Sequence, residues 1–421
     1  MKLLATETFP ANQHSFEDGL TVIHQYLPTS PVVTVDVWVR AGAIAEPDSW
    51  SGMAHFLEHM IFKGTEHCPP GYFDHVIETC GGVANAATSH DYAHFFINVA
   101  SPYLEEGLHS LAELLLRAAI PDDEFGRERD VVLEELRQAQ DDPDWVGYQA
   151  LMESLYRTHP YGRSVLGTEE TLMGRSPDEM RQFHQMHYQP ENMTVVVIGD
   201  VELAPTLDLV RKAFNGFLPR VRPTAQTPIK EKPVARIHRQ EMGLSRVEQA
   251  RLLMAWQGPG IDQLHEAYGL DLLSVALAGG RSARLVRELR EERQLVHAVG
   301  SNFSLQRESS LFMVSAWLEP DHLDMVEAII GDRLSELAER AMSDKELSRY
   351  KCLLCNDYAF STETANQLAG LYGYYNTIAK AELSTTYPAH IQSFQAEDLR
   401  SIAQHYLSPQ RYAAMIIKPL D

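Results

Sequence analysis

The sequence predicts an α+β fold of two similar domains, each a mainly antiparallel sheet packed with helices. Three observations predict it. Period-two runs of β-branched and aromatic residues recur among longer stretches with helical periodicity. Residues 219–235, rich in proline and charge but without periodicity, divide the chain into two halves. Both halves then run through their elements in a similar order, strand, helix, paired strands, helices, as an internal duplication would leave them. The expected division is 1–218, a linker 219–235, and 236–421.

Residues 20–26 and 32–40 alternate as strands do, the second with Val33, Val35, Val37 and Val39 on one face. Residues 53–62 contain no Gly or Pro, follow Ser51 and Gly52, and run into Lys63 and Gly64, a cation and a glycine suited to a helix end. Cys68 and Cys80 flank a helix-like segment. Residues 90–99, aromatic and β-branched, read as a strand, which makes His90 and His94 alternate strand residues with structural roles rather than a ligand pair. Helices are expected at 102–118, 122–140, 144–156 and 177–187, then a strand at 193–199 and a helix at 205–217. The second half offers a strand at 250–257, a helix at 265–277, strands at 296–304 and 310–318, and helices from 321 onward.

Composition bounds the partners. A chain of 421 residues with 44% hydrophobic and 22% charged residues is ordinary for a globular protein of two or more domains. A net charge of −22 argues against nucleic acid, because binding phosphate needs a basic surface. No apolar run reaches a membrane span, and residues 1–7 lack the apolar core of a signal peptide, so no membrane partner and a cytoplasmic location are expected. Four cysteines make no disulfide framework at this length, and Cys352 and Cys355 share a helix face rather than forming a redox pair.

The chemistry concentrates in residues 55–59, His-Phe-Leu-Glu-His. On a helix His55 and His59 lie one turn apart on one face and can each give a nitrogen to one zinc ion. Glu58, just before the second histidine, is placed to take a proton from a water at that ion. The order is the H-x-x-E-H inverzincin pattern. Hydrolytic zinc usually takes three protein ligands, and the helix at 122–140 offers Glu128, Glu134 and Glu135. Glu134 shares its face with Arg127, Asp130, Arg137 and Gln138, a solvated stripe. Glu135 shares a half-buried stripe with Glu128, Val131, Val132 and Ala139, where an unpaired carboxylate is costly. Glu135 is therefore the expected third ligand, and Glu128 the group that supports the site from behind; ion pairing of both with arginines elsewhere is the alternative.

These residues resemble the pitrilysin/insulysin family of zinc peptidases, which includes the mitochondrial processing peptidase. The family pairs the inverted histidine motif with a glutamate ligand some seventy-odd residues later, and residues 128–135, Glu-Arg-Asp-Val-Val-Leu-Glu-Glu, are similar to its second motif. Residues 81–88, Gly-Gly-Val-Ala-Asn-Ala-Ala-Thr, resemble the family's strand along the bound peptide, which implies substrate-binding roles for Gly82, Val83, Ala84, Asn85 and Ala86. Residues 159–162, 188–193, 279–285 and 289–292 also look like family landmarks.

The resemblance implies a zinc endopeptidase with one zinc per chain, at His55, His59 and Glu135, in the first domain alone. It implies a working unit of four domains closing around a chamber that admits unfolded peptides, so this chain would pair with a second copy or a related subunit. In the family an arginine and a tyrosine seven positions later, from a second-half domain, bind the substrate carbonyl and oxyanion. Arg290 fits the first, but the second position is His297. Either His297 donates in place of the phenol, or a different carbonyl-binding partner completes this chain. A structural or assembly subunit without catalysis is the remaining reading.

Overall fold

The computed structural model describes residues 9–221 and 231–420. Residues 1–7, read above for targeting signals, and most of the expected linker lie outside them. Two compact units emerge, each discontinuous in sequence. The first takes the described residues of Met1–Arg137, Arg163–Pro228 and Ser361–Thr385, and the second those of Gln138–Gly162, Ile229–Phe360 and Thr386–Asp421.

In the first unit, six strands form one sheet in the order β1-β2-β6-β3-β5-β4. They are β1 (Asn12–Ser15), β2 (Thr21–Tyr26), β3 (Val32–Val39), β4 (Val83–Thr88), β5 (Ala93–Ala100) and β6 (Met193–Gly199). In the second unit, β7 (His238–Leu244), β8 (Ala250–Pro259), β9 (Ala298–Leu305), β10 (Ser309–Leu318) and β11 (Ala413–Pro419) are ordered β7-β11-β8-β10-β9. Without β1 the two orders correspond strand for strand. Each sheet also has one parallel pair, β2 with β6 and β7 with β11, among antiparallel neighbours. The α+β class and its duplicated sheet are thus those expected.

Two strands of the second sheet escaped the hydrophobic pattern. In β7, His-Arg-Gln-Glu-Met-Gly-Leu, an edge strand held by backbone pairing, most side chains meet solvent and show no apolar period. β11 falls where only helices were expected; its Ala-Ala-Met-Ile-Ile core is buried on both faces, and a short continuous apolar run does not distinguish strand from helix.

The same double burial applies to β3. Its valines cover one face, but Thr34, Asp36 and Trp38 on the other are also buried, at 1%, 1% and 3% exposure. The helix Ala365–Ile378 covers that face, packing on β3 and β6. Ala365, Ala369 and Tyr372 join Ile23, Trp38, Val196 and Ile198 in one cluster, and the Tyr372 hydroxyl donates to Gln25 Oε1 at 2.8 Å. Reciprocally, the helix Pro143–Leu155 lies on β8 and β11 of the second unit. Each of these helices sets a glycine on its sheet. A Cβ on Gly373 would stand 2.1 Å from Trp38 Nε1, and one on Gly147 would stand 2.6 Å from Ile417 Cδ1. The contiguous division expected from the sequence differs from the units in these two segments.

Candidate metal centre

The helix Met53–Ile61 begins at Gly52, whose φ of 90° is left-handed and which carries no side chain to cap the helix. Its free N–H groups are met instead by Glu46, buried at 2% exposure. Glu46 Oε2 accepts from Gly52 N–H at 3.0 Å and Oε1 from Ala54 N–H at 2.7 Å. Arg163 holds this loop by donating to the carbonyls of Ala43 and Glu46. Burial pushes the Glu46 carboxyl up to about 8, against the pull of the backbone donors and of Arg163. The folded value lies above the ordinary 4.5, so the stability Glu46 contributes is full below 4.5 and is lost as pH rises through about 8. Relative to Glu46→Gln, which cannot titrate, the wild type is expected to lose melting temperature between pH 4.5 and about pH 8 and to change no further above it. Parallel curves for the two proteins would contradict this.

From the helix, His55 and His59 project side by side, with ring centroids 4.8 Å apart. Glu135, on the helix Asp122–Asp141, brings Oε2 to 3.3 Å from His59 Nε2 and 3.7 Å from His55 Nε2. One donor atom from each of the three lies within 4.8 Å of the others, the one such triad of potential ligands among the described residues. Ligands at 2.0–2.2 Å from a tetrahedral ion are spaced roughly 3.3–3.6 Å apart, close to the two separations from Glu135, and three such ligands would leave a corner open.

The tautomers fit as well. His59 Nδ1 lies 2.9 Å from Glu128 Oε1, so its N–H donates to that carboxylate and leaves the Nε2 lone pair facing Glu135. Glu128, itself buried, is paired on its other oxygen by Lys63 Nζ at 2.5 Å. Burial, aided by the neighbouring His59, pushes the His55 imidazole down to about 4, which keeps it neutral and able to ligate at neutral pH.

The structure separates the two glutamates as the helix faces implied. Glu134 is 58% exposed and pairs with Arg137, while Glu135 turns toward the histidines. The stripe itself needs correction. Val131 is 45% exposed, and the buried face runs through Phe125, Glu128, Val132, Leu133 and Leu136, with Glu135 at its margin.

Glu58 lies beside the triad. Its Oε2 accepts from the Thr88 hydroxyl at 2.5 Å. Burial raises its carboxyl above the ordinary value and Glu135 adds to the rise, while the Thr88 bond and the charges of His59 and His94 oppose it. Thr88 ends β4, the outermost strand, paired only to β5. Gly82 leads into this strand, close under Asn98 O and Val99, and Val83, Ala84, Asn85 and Ala86 follow with their outer backbone edge unpaired by any strand among the described residues.

His94 and His90 hold structural partners, Asp36 and the carbonyl of Arg163, each at 3.0 Å. Arg290 and His297 belong to the second unit. Arg290 lies in the helical segment Val286–Glu292 and pairs with Glu291 at 2.7 Å, and His297 Nε2 meets Glu319 Oε1 at 2.9 Å. The helix Leu264–Ala278, counterpart of Met53–Ile61, carries no ligand pair. Glu46 and Thr88 were not singled out from sequence, and Lys63 was read only as a helix-end cation; Thr88 and Lys63 meet partners remote in sequence, Glu46 meets backbone six and eight residues on, and none of these contacts follows a period.

Two family descriptions match the chain, "Insulinase (Peptidase family M16)" over residues 21–169 and "Peptidase M16 inactive domain" over 176–354. An uncharacterized zinc protease of Mycobacterium leprae is 30% identical over 95% of this chain and 90% of its own length. A protease from Helicobacter pylori superposes with a TM-score of 0.90 at 26% identity, covering 97% of this chain and 99% of the other. The periplasmic protease PqqL from Escherichia coli shares the fold at 18% identity and a TM-score of 0.79, over 98% of this chain but 48% of its own.

Proposed function

Because the chain belongs to the insulinase family of peptidases, M16, we propose that it is a zinc-dependent endopeptidase of unfolded peptides, working in a chamber closed by two two-domain subunits. The observation that carries the reading is the convergence of His55, His59 and Glu135 at the spacing of ligands around one ion, with Glu58 beside them. Relatives named as zinc proteases support zinc as that ion.

His55, His59 and Glu135 would hold the zinc, and Glu128 with Lys63 would fix the tautomer and charge behind His59. Zinc held there lowers the pKa of water to near neutrality and polarises a peptide carbonyl. Glu58 takes one proton from the attacking water as the water oxygen bonds the carbonyl carbon. It then delivers that proton to the leaving nitrogen as the C–N bond breaks, giving one carboxyl and one amino product. The open edge of β4 pairs with the substrate backbone, which suits an extended, unfolded peptide. For the carbonyl and developing oxyanion this chain offers Arg290 and His297.

The length relation supports a paired assembly, since PqqL spans about two lengths of this chain. The partner is a second copy or a related subunit. Four free cysteines support a reducing, cytoplasmic compartment, and no helix among the described residues is long and apolar enough to cross a membrane.

The test is calorimetric titration of the metal-free chain with zinc, alongside hydrolysis of a quenched-fluorescent peptide. One zinc per chain and zinc-dependent cleavage are expected. No zinc binding would overturn the reading, and binding without cleavage would assign catalysis to a complex with a different, carbonyl-binding subunit.

A further inference from the structure

Resting on the peptidase reading, we propose that Thr88 is a positioning residue that fixes the rotamer of Glu58 and ties the proton acceptor to the strand on which the substrate is aligned. The last torsion of a glutamate is broad, so an untethered carboxylate presents either oxygen at many angles. Here Oε2 is held by the Thr88 hydroxyl at 2.5 Å, the length of a short bond to a charged acceptor, while Oε1 makes no hydrogen bond among the described residues. One oxygen is thus parked and the other presented.

The donor's place in the fold gives the bond its second consequence. Along β4 exposure alternates, with Val83, Asn85 and Ala87 outward and Ala84, Ala86 and Thr88 half-buried on the other face. The helix Met53–Ile61 packs on this strand. Ala84 and Ala86 carry no polar side-chain atom, and Thr88, at the strand's end, carries the hydroxyl that bonds to the helix. A peptide paired to the outer edge of β4 has its register set by the backbone that also sets Glu58. The attacking water's proton acceptor and the scissile bond are then positioned by one rigid element.

The test compares Thr88→Val, which keeps the branched shape, and Thr88→Ala with Thr88→Ser, which keeps the hydroxyl. For each zinc-loaded protein, kcat and KM on the fluorescent peptide, zinc affinity and melting temperature are measured. Calorimetry adds the affinity for a peptidyl hydroxamate, whose N–OH hydrogen-bonds to the base. Loss of one bond to a charged group predicts that Val and Ala lower kcat and hydroxamate affinity about 10- to 100-fold, with KM and zinc affinity within about twofold, and that Ser recovers most of the loss. Unchanged kcat and hydroxamate affinity would overturn the proposal. So would a loss confined to KM, which makes Thr88 a pairing residue only, or a Ser variant as poor as Val. Were the wild type to bind zinc without cleaving, catalysis would belong to a complex with a different subunit, and the hydroxamate affinities of wild type and variants would still decide the role of Thr88.

Discussion

Glu58→Gln protein is expected to bind one zinc per chain as tightly as the wild type and to hydrolyse peptide at least about 100-fold more slowly, the lower end of what a positioned general base supplies. Glutamine keeps the volume of the side chain and can still accept from Thr88 through its carbonyl oxygen, so the packing around the helix Met53–Ile61 survives. What it lacks is a basic oxygen. The loss is expected in kcat with KM nearly unchanged, because the proposed mechanism has Glu58 act on the water and the edge of β4 hold the peptide. His59→Ala must behave differently. It removes a donor 3.3 Å from Glu135 and leaves Glu128 without its N–H, so zinc binding and turnover fall together. A Glu58→Gln protein within a few-fold of wild-type activity would assign the base elsewhere, and loss of zinc in that variant would make Glu58 a ligand.

What the sequence made legible follows from the ranges of the forces involved. His55, Glu58 and His59 lie within one helical turn, and the helical period alone puts Glu134 and Glu135 on different faces, so local geometry makes their arrangement legible. The groups that hold this site are another matter. Glu46 reaches the N-terminus of the helix from a loop, Thr88 reaches Glu58 from a strand, and Lys63 reaches Glu128 across two helices. Each contact depends on tertiary approach, which no periodicity encodes. Burial has the same limit. Alternation in β3 identified its valine face but gave no reason to expect Trp38 to be buried, because a helix more than three hundred residues later covers it. An amphipathic pattern shows that a helix has an apolar face, not which sheet that face will cover.

That covering helix makes the second large prediction. A fragment of residues 1–218, the first half as the sequence divides it, is expected not to reach the native state. It contains all six strands of the first sheet and every residue of the proposed zinc site, yet it lacks Ala365–Ile378. Ile23, Trp38, Val196 and Ile198 would lose their cover. At about 1.5–3 kcal/mol for each large side chain returned to water, the loss is comparable to the whole stability of a typical domain, about 5–15 kcal/mol. The fragment also carries Pro143–Leu155, whose partner strands β8 and β11 are absent. It should therefore melt without cooperativity, bind a hydrophobic dye and fail to take up stoichiometric zinc, although no ligand has been removed. In the full chain, Gly373→Ala probes the same packing more gently. Its Cβ would meet the Trp38 ring, and overpacking of this kind costs about 1–3 kcal/mol, read as a lower denaturation midpoint with unchanged zinc stoichiometry. A fragment that melts cooperatively and binds zinc would show that the first sheet folds without the helix from the other end of the chain. The exchange of helices would then be an embellishment of two autonomous domains, whereas a fragment that fails to fold would make it a condition of the candidate metal centre.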